Sequence, residues 1–392
     1  MGFRPHPYFS AQSGRAVRPG YQIQKNLQFF NKVIMLQFLT RRLLMLIPVL
    51  LGILVVTFTI TRMVPGDPCL VIMGEKATPQ QCQAFRERFG LDKSIPEQFV
   101  RYMGNIATGD FGKSIQQSRP VTDMIAERLP MTIELTVGAM IFSTIAGLLL
   151  GLASALKRNS ILDVVTMIIA NIGVSMPVYW LGLMLAYVFS LMLKGTAFYI
   201  PPSGRFSAGI SLIPLATTWG MTDLTGFGKF AISFLSNLAI FNGLVTGNFK
   251  LVRDTLWHLI LPCLAVGTIP MAVIARMTRS SLLDVLGQDY VRTARAKGLI
   301  NRKVITKHAM RNALIPIITI IGVETGVLLS GAVLTETIFA LPGIGTAMVN
   351  AIFARDYPVI QGFTIMVGFI FVIVNLIVDI SYAYLDPRIR LE

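Results

Sequence analysis

The sequence predicts an all-α polytopic membrane protein with six transmembrane helices, and three observations predict it. Hydrophobic residues make up 53% of the 392-residue chain and charged residues only 14%, against about 25% charged in a soluble domain. Apolar runs of roughly 20 residues alternate with polar loops, the length that carries a helix across about 30 Å of hydrocarbon. The ten-residue alternation of a barrel strand is missing from the sequence, so helices that satisfy their own backbone hydrogen bonds are the expected spanning elements.

A formal net charge of +15 would suggest nucleic acid in a soluble protein. Here the basic residues flank the apolar runs, which is the positive-inside pattern, and no aromatic-interleaved basic patch or zinc spacing accompanies them. Nucleic acid is therefore not expected as a partner, whereas the anionic lipid of a cytoplasmic membrane face is.

Residues 1–36 read as a polar, basic cytoplasmic tail carrying Arg4, Arg15, Arg18, Lys25 and Lys32, or as an over-extended start upstream of Met35. They do not have the layout of a signal peptide. Arg41 and Arg42 hold this end inside, ahead of the first helix in 37–63. Residues 64–130 have balanced charge and no spanning run, and read as an extracytoplasmic loop domain. The core, 131–392, then holds five more helices. Its first, from Met131 to Ala155, is dense in small residues (Gly138, Ala139, Ser143, Ala146, Gly147, Gly151, Ala153) that permit close helix approach. Leu162 to Leu193 is too long for one upright span and has Pro177 near its middle, so a tilted or broken helix is expected. Residues 195–256 form an extracytoplasmic insertion whose apolar stretch 227–245 reads as an interfacial hairpin. One more span there would move the basic loop 276–315 to the outside. Leu259 to Ile274, Ile315 to Phe339 and Phe363 to Tyr384 complete the six, with both termini cytoplasmic.

The loop between the fourth and fifth helices carries the strongest pattern. From Arg276 to Arg311, nine Lys or Arg residues stand against two acids, Asp284 and Asp289. Asp289 to Lys297 has helix-forming composition; at 100° per residue Tyr290, Thr293, Ala294 and Lys297 share one side and Arg292, Arg295 and Leu299 another. Gly298 ends that helix as a left-handed cap, and a second short helix, from about Lys303 to Met310, returns to the membrane. Spacing alone leaves two readings, a positive-inside anchor or a rigid helix seated in a groove of something outside the membrane.

Arg292-Thr293-Ala294, three residues, Gly298, nine residues and His308-Ala309-Met310-Arg311 resemble the "EAA, three, G, nine, I-x-L-P" loop of importer permeases in the ATP-binding-cassette superfamily. Arg292 stands at the Glu position, Thr293 at the first Ala, His308 at the Ile and Met310-Arg311 at the Leu-Pro, which are the departures of the dipeptide/oligopeptide/nickel branch. Ordered matches at Val64 to Pro68, Gly109 to Gly112, Ser175 to Gly182, Pro201 to Arg205, Ala275 to Ser281 and Arg355 to Pro358 extend the resemblance over about 35–392. It implies a permease subunit of an ATP-driven, binding-protein-dependent importer in the inner membrane, carrying peptides or a related small solute. It further implies a second homologous permease subunit, an extracytoplasmic solute-binding protein, and two cytoplasmic ATPases that dock on Tyr290, Arg292, Thr293, Ala294, Lys297, Gly298 and His308. ATP and magnesium then belong to those partners, and this chain is expected to bind no cofactor of its own.

Other candidate sites are weaker. Gly109 to Ser114 lacks the spacing of a phosphate loop. Glu324, in the middle of the fifth helix, is an intramembrane ionisable group and so a functional candidate, with a pathway role and a subunit-interface role both open. Glu336 and Asp379 lie nearer helix ends and read as structural. Glu324 and Asp379 together would serve the alternative function, a self-sufficient proton-coupled secondary carrier. Cys69 and Cys82 share the first outside loop, either as a disulfide or as two free thiols; Cys263 reads as packing. His6, His258 and His308 are too scattered for a metal site, and neither metal-ligating nor catalytic residues are expected.

Overall fold

The computed structural model describes residues 19–63, 68–74, 77–221, 223–329 and 332–385. In order these form α1 (Pro19–Met63), α2 (Pro68–Met73), α3 (Pro79–Phe89), α4 (Ile95–Ala107), α5 (Val121–Leu156), α6 (Ile161–Ser175), α7 (Val178–Ala186), α8 (Leu215–Thr218), α9 (Gly226–Asn237), α10 (Ala239–Val245), α11 (Phe249–Leu286), α12 (Asp289–Ala296), α13 (Asn301–Lys303), α14 (Met310–Leu329), α15 (Val333–Ile338), α16 (Ile344–Ala354) and α17 (Tyr357–Leu385). Wider π-type turns, Tyr187–Met192 and Val304–Ala309, extend α7 and join α13 to α14. The β-pairing among the described residues is an isolated bridge between Lys113 and Pro120.

Five helices are long and apolar enough to cross a membrane: Thr40–Met63 within α1, α5, α11, Asn301–Leu329 and Tyr357–Val378 within α17. Two more apolar segments are bent pairs, α6 with Val178–Met192 at 102° and α9 with α10 at 90°. The first bend falls at the expected proline. Met176, before Pro177, is extended at φ −94°, ψ 131°, because the proline ring disfavours the helical conformation in the residue ahead of it.

α11 is the hub, with 72% of its apolar window buried inside the chain against 22 to 39% for the other four. Small residues bring α5 against it. A Cβ on Gly147 would lie 2.8 Å from both Ile274 Cγ2 and the Met271 carbonyl, and one on Gly151 would lie 2.5 Å from the Ala275 carbonyl. Only glycine fits there, and the contact continues along a buried seam that includes the fully buried Met131, Leu135, Leu261 and Ile274. Ser143 Oγ is within hydrogen-bond reach of the Ala139 and Gly267 carbonyls, at 2.6 and 2.7 Å.

α2, α3 and α4 make the loop domain. Thr78 and Gln81 form a reciprocal capping box at the start of α3, and Gly90 closes it in the left-handed conformation, as side-chain acceptors and a Cβ-free residue do at helix ends. Cys69 and Cys82 are joined as a disulfide with Cα atoms 5.5 Å apart, and pack with Phe85 and Ile115.

The structure departs from the sequence reading in several places. The residues read as the end of a tail, 19–36, already belong to α1. α5 begins at Val121 instead of Met131, so Pro130 lies inside it; neighbouring helices and local adjustment let membrane helices tolerate such prolines. α14 is described as far as Leu329, and Glu336 sits on the separate α15, preceded by the non-helical Ala332. Hydropathy does not register that break because both sides of it are apolar. The short return helix after Gly298 is the beginning of the spanning segment Asn301–Leu329. The motif residues Val64 to Asp67, the basic residues Arg4, Arg15 and Arg18, His6 and the end of the chain from Asp386 lie outside the described residues, as do the side chains of Lys25 and Lys32 on α1 and of Asp379 on α17.

Candidate functional site

The basic loop is more helical than its charge suggests. α11 runs on through Arg276 and Arg279 to Leu286, and Gln288, in extended conformation, starts α12. The Gln288 carbonyl accepts from the Val291 and Arg292 amides at 3.1 and 3.2 Å. Asp289 in the first turn and Arg295 in the last complement the helix dipole. Gly298, at φ +73°, turns the chain back; its amide donates to the Arg295 carbonyl at 2.9 Å.

α12 is seated on its own chain. Val291 and Ala294 are 0% and 5% exposed and pack on Val304, with Val285, Leu286 and Leu299 around them. Behind this cluster Ala155 of α5, Leu282 of α11, and Ala309 and Ala313 close a second one. Asn312 Nδ2 donates to the Tyr290 hydroxyl at 2.7 Å. The helix is thus fixed to the end of α11 and the start of the Asn301–Leu329 segment, and these in turn meet the end of α5.

Of the residues expected on the docking face, Tyr290, Arg292, Thr293, Lys297 and Gly298 are exposed and His308 is half-buried. Ala294 is not with them, because the side of α12 that the helical wheel grouped around Thr293 is divided, its Ala294 edge facing inward. The outward face adds Arg295, Arg302, Lys303, Lys307 and Arg311, all exposed. The Arg292–Asp289 pair, at 3.4 Å with both side chains in solvent, neutralises little of this charge.

Three polar constellations went unread in the sequence. Asp163, at the start of α6, receives Arg279 in a bidentate pair (Nε and Nη2 each 2.8 Å), a hydrogen bond from Ser154 Oγ and the Asn159 amide at 3.0 Å. Glu134 of α5, buried, accepts from buried Arg205 Nη2 at 2.9 Å and from the Ile240 amide at 2.8 Å, which ties the 195–256 segment to the core. Asp356 accepts from Ser114 Oγ at 2.5 Å and from the Ile115 and Gln116 amides. Glu134 had a readable signal, a carboxylate inside an apolar run; the other two lie at segment borders, where charge is ordinary.

The remaining carboxylates divide clearly. Glu336 is fully buried and accepts from Thr132 Oγ1 at 2.7 Å and the Thr346 amide at 3.0 Å, at the head of α16. Glu324 is half-buried on α14 and has no hydrogen-bond partner among the described residues. No group of three His, Cys, Asp or Glu placed to hold a metal occurs among the described residues.

Residues 147–391 match the family described as "binding-protein-dependent transport system inner membrane component", and residues 35–136 match the N-terminal model of the same transport-system membrane components. The chain is similar to the dipeptide transport system permease protein DppB of Alkalihalophilus pseudofirmus, 46% identical over 91% of this chain and all of that one. It is similar to the protein of the same name from Escherichia coli, 43% identical over 91% of this chain and 99% of that one. The glutathione transport system permease protein GsiC of an Escherichia coli strain is 36% identical over the same shares.

Proposed function

This chain belongs to the binding-protein-dependent transport system inner membrane component family, and on that premise we propose that α12 is the surface on which cytoplasmic ATPases dock to drive it. The chain is the multi-pass permease component of a binding-protein-dependent importer, not an enzyme; the self-sufficient carrier expected as the alternative is set aside by that family membership. The finer reading is six membrane crossings, with α6 and the Val178–Met192 segment counted as one, both termini and α12 cytoplasmic, and the loop domain and the 195–256 segment outside. In this reading two ATPases, holding ATP and magnesium, pair with this chain and a second homologous permease, and a solute-binding protein delivers the cargo. The cargo is a dipeptide or similar small peptide, on the names of the relatives.

One observation carries the docking proposal. α12 is anchored through Val291 and Ala294 to the end of α11 and to Val304 at the start of the Asn301–Leu329 segment, while Arg292, Thr293, Arg295 and Lys297 are exposed. A short amphipathic helix with a rigid seat and a basic outer face suits an acidic groove. Exposed cations alone would serve lipid equally well, but they would not require a fixed seat. Gly298→Pro removes the amide bonded to Arg295 and cannot adopt φ +73°. Uptake by the reconstituted complex is expected to fall to background while the chain still inserts; undiminished uptake would refute the docking role.

A further inference from the structure

A cavity of about 450 Å³ opens where the Arg62 end of α1 meets α3, α4, the 110–118 loop and the start of α17. Its lining carries four cations, Arg62, Arg88, Arg101 and Lys113, against the single carboxylate of Asp110, which already accepts from the Gly112 amide at 2.8 Å. Arg88, Arg101 and Lys113 form no ion pair among the described residues. The Arg101 side chain lies beside Gly90, its Nη1 3.3 Å from where a Cβ on that glycine would stand.

The inner wall is more specific than a solvated basic patch. The Arg62 guanidinium sits between the Phe58 and Tyr357 rings, 4.9 and 4.8 Å from their centroids, and its Nε donates to Gln98 Oε1 at 2.9 Å. Its Nη1 is buried with no hydrogen-bond partner, and so is the hydroxyl of Tyr102, whose ring stacks on Phe58. Burial raises the Tyr102 pKa, so the hydroxyl remains protonated and able to donate. Buried donors without partners are uncommon in native structures and call for an occupant. Like charges gathered in a concave site with low-dielectric walls raise the local concentration of an opposite ion.

We infer that this cavity is a binding site for an oxyanion, a carboxylate or phosphate group, held by Arg62, Arg101 and Lys113 with Tyr102 as a further donor. Guanidinium groups suit such a group because they present paired N–H donors that match two of its oxygens. The aromatic floor of Phe58 and Tyr357 keeps the Arg62 charge out of water without supplying a competing acceptor. The cavity is a separate site from the α12 surface, and the inference rests on neither the ATPase docking nor the choice of cargo.

Two sources of the oxyanion are separated by one set of proteins. The full chain, purified with its partner subunits, is melted in sodium phosphate or sodium acetate against sodium chloride at equal ionic strength, which reads a free anion as a saturable rise in Tm. The same preparation, isolated from bilayers containing phosphatidylglycerol, is examined by native mass spectrometry for retained lipid. Arg101→Gln with Lys113→Gln, both on exposed side chains, is expected to weaken whichever ligand binds by at least about tenfold, since a single charge-assisted hydrogen bond is worth that much. Arg101→Lys with Lys113→Arg is expected to retain part of the binding. A Tm rise lost in the Gln variant identifies a free anion, and lipid lost in it identifies a headgroup; either supports the site. Absence of both signals in the unaltered protein, or ligand bound equally by the Gln variant, overturns it.

Discussion

Glu336 and Glu324 are both carboxylates among apolar helices, and their surroundings assign them opposite roles. Glu336 joins α5 to the head of α16, and truncating it leaves Thr132 and the Thr346 amide without an acceptor in a dry site. We expect Glu336→Ala to cost about 1–3 kcal/mol of stability, read as a lower Tm of the purified chain. Glu324 bonds to nothing among the described residues and is half-exposed, so Glu324→Ala should leave the Tm unchanged and instead slow uptake or weaken pairing with the second permease. Normal uptake and pairing in that variant would remove Glu324 from both the pathway and the interface. Glu324 draws attention in the sequence because it stands in an apolar run; the same rule would have found Glu134, which went unread. What hydropathy could not supply was the partner: Arg205 is 71 residues away, in a turn, and only the fold brings its guanidinium into the core.

At the scale of elements, the seam between α5 and α11 was readable and the orientation of α12 was not. Small residues at helical spacing mark an approach face whatever lies opposite, and Gly138, Gly147 and Gly151 indeed abut α11. Gly147→Leu is expected to push α5 off Ile274 and Met271, destabilising by about 1–3 kcal/mol as overpacking does. Limited trypsin digestion of membranes should then cut the variant faster than the unaltered chain; equal rates would contradict so close a contact. For α12 the helical wheel groups residues by side but carries no information on which side the chain itself occupies. The buried position was signalled by Val291, the one large aliphatic residue among polar neighbours in α12. The break of α6 from α7 was legible because Pro177 imposes it, whereas the break at Ala332 leaves the apolar pattern intact across α15.

Across the whole molecule, the family and the anchored α12 give a path for force. Val291 and Ala294 connect it to Val304 at the start of the Asn301–Leu329 segment, and Leu282, Ala309 and Ala155 connect that point to α11 and α5. Arg279 and Asp163 extend the connection to α6. Packed elements of this kind move as rigid bodies, so closure of an ATPase pair on the cytoplasmic side would tilt these helices together. The central claim is that α12 touches an ATPase, and cross-linking from one position on its outer face tests it most directly. Thr293→Cys, labelled in the assembled complex with a short thiol-reactive photo-cross-linker whose other end inserts into any neighbouring side chain, is predicted to cross-link to an ATPase subunit, with a yield that changes when ATP is added, while Gln117→Cys in the loop domain gives no such product. No cross-link from Thr293→Cys, or one obtained equally from Gln117→Cys, would contradict the account.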